Sequence, residues 1–480
     1  MTISHTLIAE PELEFGDGGK HVDPRIGLHR HGPLQPILGD RISIGVIGTA
    51  ETVDGFEQFL ERLKSGIEGK STKQPNLFPP FPGLGNDNPF RCEFEVQRGS
   101  TRVLPVRDVG KLVSIKAQNE AVTESVDVFV DQATAMLEST NKPDVIVAAL
   151  PMDLICKIKN GVGDEGREDD ARSLYDGPDF RDLLKAETMH LEKPTQIVWP
   201  TLWDDHARIP RKLKDNVRKV QDPATRAWNL LNGIFYKAGR VPWRLPRPED
   251  QLKTSYVGIG FFKDSSGQRL LTSTAQMFDE RGKGLILRGG RARIDKGDRH
   301  PYLDRNDAYD LMRRSLKAFF SQHHHYPARI IVLKTSRFET DEADGFLEAL
   351  AEVNIAYTDL IWVQENSPIS MYRAGDYPPL RGTVINLGRD AVLFTRGSNP
   401  VYRTYPGLRS PNPLLLRPHI NDTPITEIAD EILALTKMNW NTTQFDGALP
   451  IPIHAARKVG KVLKHVPEGQ RAASDYTRYM

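Results

Sequence analysis

Short apolar runs alternate with helical patterns over the first half of the chain. Residues 41–48 and 144–150 are almost continuously apolar and rich in β-branched side chains, which predicts buried strands. Apolar residues recur every three or four positions near 56–63, 118–138 and 223–238, and this spacing predicts amphipathic helices. Alternation of this kind is typical of an α/β layered domain with a mostly parallel sheet.

A proline-rich seam divides the chain at 240–248, because Pro242, Pro246 and Pro248 exclude a helix there. Beyond the seam, strand-like runs are followed by helices, an order typical of ribonuclease-H-like folds. Strands are predicted near 256–262, 329–334, 384–387 and 391–394, and helices near 306–322, 341–353, 423–436 and 452–465. We therefore predict an extended amino-terminal arm at 1–40, a first α/β domain at 41–248 and a second at 249–480.

Composition excludes several classes of protein. The chain has 64 Lys plus Arg against 63 Asp plus Glu, so it is neither a polycation nor a charge-driven disordered chain. No apolar run approaches the ~18 residues of a spanning helix. Cys92 and Cys156 are too few for a disulfide framework or a four-cysteine zinc site, and no secretory signal is visible. We expect a reduced, soluble, cytoplasmic protein.

Four polar residues between 180 and 240 form a candidate anion site. Arg181 and Lys185 are four apart on a predicted helix, so both cations project from one face. Gln196 lies in a predicted strand, and Lys237 lies near the end of a predicted helix. Charge-assisted donors from several directions could converge on a terminal phosphate. A solvated helix face and an ordinary lysine before a glycine cap explain the same residues, and the pattern leaves both interpretations open.

Three segments resemble Argonaute proteins. Residues 236–245, YKAGRVPWRL, are similar to the segment that closes the Argonaute MID domain. Arg181-x-x-x-Lys185 with Gln196 resembles that domain's pocket for the guide 5′-phosphate, and residues 435–450 resemble the carboxy-terminal part of PIWI. The resemblance covers about 40–480. It implies an α/β protein of the short prokaryotic type, with a Rossmann-like MID domain (41–248) followed by a ribonuclease-H-like PIWI domain (249–480).

The resemblance also implies a guide pocket. Its members would be Arg181, Lys185, Gln196, Lys237 and Met480. A Mg²⁺ ion at the guide 5′ end would be contacted by Gln196 and Met480. Arg181 departs from the aromatic residue or histidine common at its position, so it would add charge and lose base stacking. A basic insertion between Gln196 and Lys237 is either a wall of the guide channel or a solvated helix.

The catalytic positions of PIWI nucleases lack their ligands here. Such nucleases hold two metal ions with three or four acidic or histidine side chains. The corresponding positions carry Gly260, Thr335 and Arg457, so we expect no cleavage by this chain. Asp264, four residues along the strand, would lie ~13 Å from the lost position. An active nuclease with a displaced site is the alternative.

The remaining basic residues indicate a binding surface. Placed on PIWI, five of them would contact the backbone of a guide–target duplex: Lys283, Arg288, Lys334, Arg337 and Arg417. The resemblance thus implies a subunit that binds a small guide RNA and captures complementary single-stranded DNA without cutting it. Its partner would be an APAZ-domain protein with a TIR, sirtuin-type or nuclease effector, acting against plasmids or phage. An unrelated α/β enzyme for a small phosphorylated ligand is a further alternative.

Overall fold

The computed structural model describes residues 4–35, 41–159, 177–207, 220–246, 252–265, 267–277, 284–297, 299–405, 407, 410–467, 470 and 472–480. The chain forms two compact units. The smaller unit combines Gln35–Pro242 with Thr477–Met480, and the larger unit combines the residues up to Leu34 with Trp243–Tyr476. Among the described helices, none has the length and apolar character needed to cross a bilayer.

The amino-terminal segment is part of the larger unit, which differs from the predicted extended arm. Its elements are β1 (Ser4–Leu7), β2 (Leu13–Glu14), β3 (Lys20–His21) and α1 (Pro24–His31). Strand β1 pairs antiparallel with Thr383–Asn386. The carboxylate of Glu10, 3% exposed, lies 3.0 Å from the Arg381 guanidinium and 2.6 Å from the Lys437 ammonium. Removal of either member of a buried ion pair would leave an uncompensated buried charge. These contacts therefore hold the amino-terminal segment against the rest of the larger unit.

The smaller unit is built around a parallel sheet. Its elements are β4 (Arg41–Gly48), α2 (Ala50–Arg62), β5 (Glu93–Val103), α3 (Val106–Ser114), α4 (Gln118–Leu137), β6 (Val145–Ala149), α5 (Met152–Ile158), α6 (Phe180–Glu187), β7 (Thr195–Val198) and α7 (Pro223–Lys237). The strand order is β5-β4-β6-β7, and every pairing is parallel. Strand β6 is buried along its whole length, as expected for a parallel sheet covered by helices.

The larger unit contains a nine-stranded mixed sheet. Its further elements are β8 (Thr254–Lys263), β9 (Leu270–Met277), β10 (Gly284–Arg291), β11 (Arg293–Ile294), β12 (Pro301–Tyr302), α8 (Arg305–His323), β13 (Arg329–Lys334), α9 (Thr340–Ala351), β14 (Tyr357–Gln364), β15 (Thr383–Asn386), β16 (Ala391–Leu393), β17 (Leu414–Asn421), α10 (Ile425–Leu435) and α11 (Ile451–Leu463). The order is β1-β15-β16-β17-β14-β13-β8-β9-β10, with only β8, β13 and β14 mutually parallel.

The second segment of the larger unit begins at Trp243, whereas the sequence predicted a domain boundary after residue 248. Trp243 is fully buried, and its indole N–H donates to the Lys437 carbonyl oxygen at 3.1 Å. The proline-rich seam therefore starts inside the core of the larger unit. Because Trp243 is buried and its indole N–H has an acceptor, it anchors the start of this segment in the core more firmly than the prolines that follow it.

Helices cover both faces of the central strands of the larger sheet. Apolar residues of β8 and β13 that include Val257, Ile259 and Val332 pack into one core cluster with α8 and α9. On the opposite face, a Cβ added at Gly258 would lie 2.1 Å from the Pro452 carbonyl oxygen. Glycine at 258 thus allows α11 to approach the backbone of β8.

Candidate functional site

Two lysines of the smaller unit reach neighbouring residues of strand β7. The Lys185 ammonium donates to the Thr195 carbonyl oxygen at 2.9 Å and lies 3.3 Å from its hydroxyl. The Lys237 ammonium donates to Gln196 Oε1 at 2.5 Å. Both lysines are buried, at 2% and 5% exposure. The structure therefore places Lys237 in direct contact with Gln196 and Lys185 in contact with the adjacent residue Thr195.

Helix caps place the two lysines. The Asp179 side chain accepts from the Asp182 amide and starts α6, so Lys185 lies in the last turn of this short helix. The Asp222 side chain caps α7, and Lys237 is the last residue of that helix. Gly239 follows with a φ of 83°, a left-handed conformation that favours glycine and ends the helix. Cations in the last turns also interact favourably with the helix dipoles.

Arg181 binds the carboxy-terminal segment of the smaller unit. One guanidinium nitrogen lies 2.8 Å from the Asp182 carboxylate, and another donates to the Tyr479 carbonyl oxygen at 2.9 Å. Met480 follows and is 3% exposed. Arg478 adds a hydrogen bond to the Glu192 carbonyl oxygen. Arg181 thus holds the backbone beside Met480, and Asp182 offsets part of its charge.

Two acidic residues beside Arg181 were not predicted as part of the site. Burial raises the pKa of Asp179, and the negative charge of Asp182 raises it further. Asp179 and Asp182 are three positions apart at the start of a helix, which is the spacing of an ordinary amino-terminal cap. The sequence therefore gives no signal that Asp182 also pairs with Arg181.

We expect Arg181→Met to loosen the carboxy-terminal segment. The variant keeps an apolar stem of similar length but removes the charged hydrogen bond to Tyr479, worth roughly 1.5–3 kcal/mol. Hydrogen exchange of the amides at 478–480 should accelerate about tenfold or more relative to wild type. Arg107→Met is the control, because Arg107 is 82% exposed in the same unit. Unchanged exchange in Arg181→Met would contradict this role.

The residues at the predicted Mg²⁺ position suit the ion poorly. Gln196 Oε1, one of the two predicted ligand atoms, already accepts from the Lys237 ammonium. An ammonium at that distance occupies the space and repels a divalent cation. Among the described residues, no three His, Cys, Asp or Glu side chains are grouped to hold a metal. The lysines therefore supply the positive charge of this region.

In the larger unit, Gly260 and Thr335 each follow one member of a strand pair. Lys334, the last residue of β13, is paired with Ile259 in the parallel register, so Thr335 follows the end of β13 and Gly260 follows Ile259 within β8. Direct partners share a face of the sheet, and residues two apart on a strand do as well. Gly258 and Phe262 both contact α11, so Gly260 between them faces that helix. Neither Gly260 nor Thr335 supplies a carboxylate.

Arg457 of α11 forms an ion pair with Glu365. The pair has a hydrogen bond of 3.0 Å between Nη1 and Oε2 and a second, shorter one. Glu365 follows the end of β14, and no motif in the sequence marks this carboxylate. Its two oxygens are occupied by the guanidinium, so this acid is not available as a metal ligand in this arrangement.

The five predicted duplex contacts have different environments. Lys334 is fully buried and pairs with Glu342, which contradicts its predicted contact, because its side chain points to the α9 face of the sheet. Arg337 is 45% exposed beside Glu339, and Arg417 is 42% exposed beside Asp390. Arg288 is half-buried and donates to the carbonyl oxygens of residues 466 and 467. Lys283 and most of the basic insertion lie outside the described residues.

Comparison with known proteins identifies relatives of the chain. No family model matches it. It is 27% identical over 312 residues to the protein argonaute of Thermus thermophilus, an alignment that covers 61% of this chain and 42% of the relative. The chain is homologous to an Argonaute. It spans less than half the length of this curated relative.

Solved Argonaute structures share its fold. Clostridium butyricum Argonaute bound to a guide DNA and a 19-mer target DNA has a TM-score of 0.65 and 16% identity, covering 98% of this chain and 54% of that one. Marinitoga piezophila Argonaute in complex with a 5′-hydroxyl guide RNA has a TM-score of 0.56 and 14% identity, covering 97% and 60%. The predicted α/β fold of MID followed by ribonuclease-H-like PIWI is confirmed.

Proposed function

We propose that this chain binds a 5′-phosphorylated guide, a small RNA, and uses it to recognise complementary single-stranded DNA without cleaving it. The observation that carries the proposal is that two buried lysines, Lys185 and Lys237, donate to the adjacent strand residues Thr195 and Gln196. Buried ammonium groups are charge-assisted donors, so an anion that enters this region can accept hydrogen bonds from them. A terminal phosphate, with two negative charges and three acceptor oxygens, has the chemistry required.

The absence of cleavage is supported by the side chains of the larger unit. Two-metal hydrolysis requires carboxylates to bind the ions and to orient the attacking water. Gly260 lies within β8 and Thr335 directly follows β13, and neither supplies a carboxylate. The carboxylate of Glu365 nearby is bound to Arg457. Base pairing supplies sequence recognition in this proposal, while the protein contacts phosphate and sugar.

We further propose that target recognition is passed to an APAZ-domain partner that carries the effector. The similarity to Argonautes together with Gly260, Thr335 and Arg457 supports a sensor whose chemistry lies on another chain. Co-expression with the product of the adjacent reading frame tests this. Guide and matching DNA should switch on NAD⁺ consumption or nuclease activity in the complex, and mismatched DNA should not. Equal activity with either DNA would overturn the sensor role.

The guide-binding proposal predicts a preference for the guide 5′-phosphate. Affinity for a 5′-phosphorylated RNA should exceed that for the same RNA with a 5′-hydroxyl by about 100-fold, because two charge-assisted contacts are lost. Equilibrium binding with labelled RNA and DNA guides measures this ratio and the preferred sugar. If a mononucleotide 5′-phosphate competed as strongly as the oligonucleotide, a small-ligand enzyme would be the better interpretation. A ratio near one would contradict the pocket.

A cleavage assay separates the sensor from a nuclease. Protein loaded with guide should leave a labelled complementary DNA intact in Mg²⁺ or Mn²⁺ over hours, while gel shift shows that the DNA is bound. A non-complementary DNA serves as the binding control. Guide-dependent cutting that disappears on replacement of Glu365 or Asp264 would establish a displaced catalytic site instead.

A further inference from the structure

One edge of the nine-stranded sheet is open among the described residues. The sheet ends at β10 on one side and at β1 on the other. The β10 edge is covered by the segment at 474–475: the Ile286 amide donates to the Ser474 carbonyl oxygen at 2.8 Å, and Leu285 forms an antiparallel bridge with the next residue. Strand β1 pairs with β15 on its inner side, and no described segment pairs with its outer side. A strand edge of this kind can accept another strand.

The outer backbone groups of β1 belong to His5 and Leu7. In an antiparallel pair, successive residues direct their N–H and C=O groups alternately toward the neighbouring strand and away from it. The Ile8 amide donates to the Gly382 carbonyl oxygen at 2.9 Å, so the even-numbered residues of this segment face β15. His5 and Leu7 therefore direct their N–H and C=O groups outward. These groups are the donors and acceptors that a further antiparallel strand requires.

The side chains of β1 do not protect this edge. Natural proteins block open edges with charged residues, prolines or bulges. Residues 4–7 read SHTL, contain no Lys, Arg, Asp, Glu or Pro, and are all exposed, with Leu7 at 52%. The edge strand of the smaller sheet, β5, is different, because Glu95 and Arg98 are exposed on it and Gly99, with a φ of 86°, lies where the pairing with β4 shifts register. Strand β1 therefore has the properties of a pairing edge.

Strand β1 is held in place by contacts on its inner side. Glu10, shortly after the strand, is buried and pairs with Arg381 and Lys437. Gly382 has a φ of 87°, and a Cβ there would lie 2.6 Å from the Ile8 carbonyl oxygen, so the glycine permits the close approach of the two backbones. The edge is thus formed before a partner arrives, and little further ordering of the chain is needed on pairing.

We propose that β1 is a dimerisation edge, on which the β1 strand of a second copy of this chain pairs antiparallel across a two-fold axis. The outward groups define the register. With Thr6 at the axis, His5 of each copy lies opposite Leu7 of the other, and the outward N–H and C=O groups of both copies are paired. His5 and Leu7 share one face of their strand, so the same faces of the two sheets continue into each other. The proposal does not depend on guide binding or on the effector partner.

The edge is self-complementary, which favours a second copy over an unrelated strand. A two-fold axis through Thr6 sets His5 against Leu7 on both sides, so no charges oppose each other. On the face that His5 shares with Ile385, half-buried apolar residues of the larger unit continue beside the paired strands. The strands are short, so the interface is smaller than the ~1,200 Å² of a standard complex. We therefore expect a weak, reversible dimer that forms at high protein concentration.

Sedimentation of the chain over a wide concentration range tests the dimer. We expect the wild type to dimerise reversibly with a dissociation constant of about 10–100 µM. Leu7→Pro removes an outward N–H and leaves the bonds to β15 intact, and Leu7→Lys places a charge on the edge while keeping the backbone donor. Each variant should weaken the dimer by about tenfold or more. Ile294→Lys is the matched control, because Ile294 is 51% exposed in β11, which follows the opposite edge strand, and it should behave as wild type.

Cysteine substitution tests the register. Thr6→Cys places two thiols at the axis, where opposed Cα atoms of a non-hydrogen-bonded pair are about 4.5 Å apart, within reach of a disulfide. Ser4→Cys is the control, because the same residue of the two copies would lie ~13 Å apart along the strands. Oxidation at concentrations that favour the dimer should cross-link Thr6→Cys and leave Ser4→Cys at the level of wild type.

Three results would overturn the dimer or its edge. The first is a wild type that stays monomeric over the whole concentration range. The second is a dimer that Leu7→Pro and Leu7→Lys leave unchanged, because another surface would then hold it. The third is an otherwise monomeric chain from which both Leu7 variants release a different bound protein, because the edge would then take a foreign strand. A Ser4→Cys cross-link as efficient as that of Thr6→Cys would overturn the register at Thr6.

Discussion

Replacement of Lys185 and Lys237 together by methionine should lower affinity for a 5′-phosphorylated guide by about 100-fold or more. Each ammonium would donate a charge-assisted hydrogen bond to the phosphate, worth roughly 1.5–3 kcal/mol. Methionine retains the apolar volume of these buried stems, so the core around them should stay filled. The measurement is the ratio of affinities for 5′-phosphate and 5′-hydroxyl guides, which should fall to near one.

The control for this variant is Lys64→Met in the same unit. Lys64 is 62% exposed and pairs with Glu61, so its replacement removes one positive charge far from the pocket residues in sequence. Its affinity ratio should equal that of wild type. Thermal unfolding of the double variant shows whether it folds, and its affinity for the 5′-hydroxyl guide should change by less than about threefold. If the folded double variant keeps the wild-type ratio of affinities for 5′-phosphate and 5′-hydroxyl guides, the pocket assignment is wrong.

Glu342→Leu should destabilise the larger unit by about 3–5 kcal/mol, the usual cost of leaving one member of a buried ion pair alone. Lys334 and Glu342 are both fully buried and hydrogen-bonded to each other. Burial lowers the pKa of Lys334, and the charge of Glu342 opposes that shift. Glu342 also accepts from the Leu303 amide at 3.0 Å, a bond that leucine cannot replace. Denaturant unfolding measures the loss.

A pH series gives this second prediction a specific signature. Without Glu342, the buried lysine loses its proton more readily than in the unfolded chain. The destabilisation should therefore shrink as pH rises toward the ordinary lysine value of about 10.4. Glu348→Leu on the same helix is the control, because its pair with Arg305 is about half exposed and should contribute under about 1 kcal/mol. Equal losses in both variants would contradict the buried-pair argument.

Periodicity predicted the elements that carry the candidate site but missed several strands. Helices at 118–138, 223–238 and 452–465 lie within two residues of α4, α7 and α11. Strands β9 and β10 were missed, because polar residues and glycines interrupt them and their stability comes from pairing rather than from apolar runs. Strand pairing over long sequence separation is decided by tertiary contacts, which a local pattern does not encode.

The position of Lys334 shows a second limit. A lysine at the end of an apolar strand indicates an exposed cation by residue type. The strand alternation instead turns Lys334 toward α9, where Glu342 is buried opposite it. The partner could be found only by knowing which helix packs on that face. Lys185 and Lys237 were singled out by family resemblance, since spacing alone left a solvated surface equally open, and their role in guide binding stays a prediction.

The attachment of the amino-terminal segment makes folding depend on the order of synthesis. Glu10 and Arg381 are 371 positions apart, and the Pro11 carbonyl oxygen accepts from Lys437 across 426 positions. At about 5–20 residues per second, a ribosome needs roughly 20 to 70 s to add Arg381 after Glu10. During that interval Leu13, Phe15 and Leu28, all buried in the finished unit, have no completed core to enter. The nascent chain thus leaves these apolar side chains uncovered until late in translation, and any truncation before Lys437 leaves Glu10 without one of its two buried counterions.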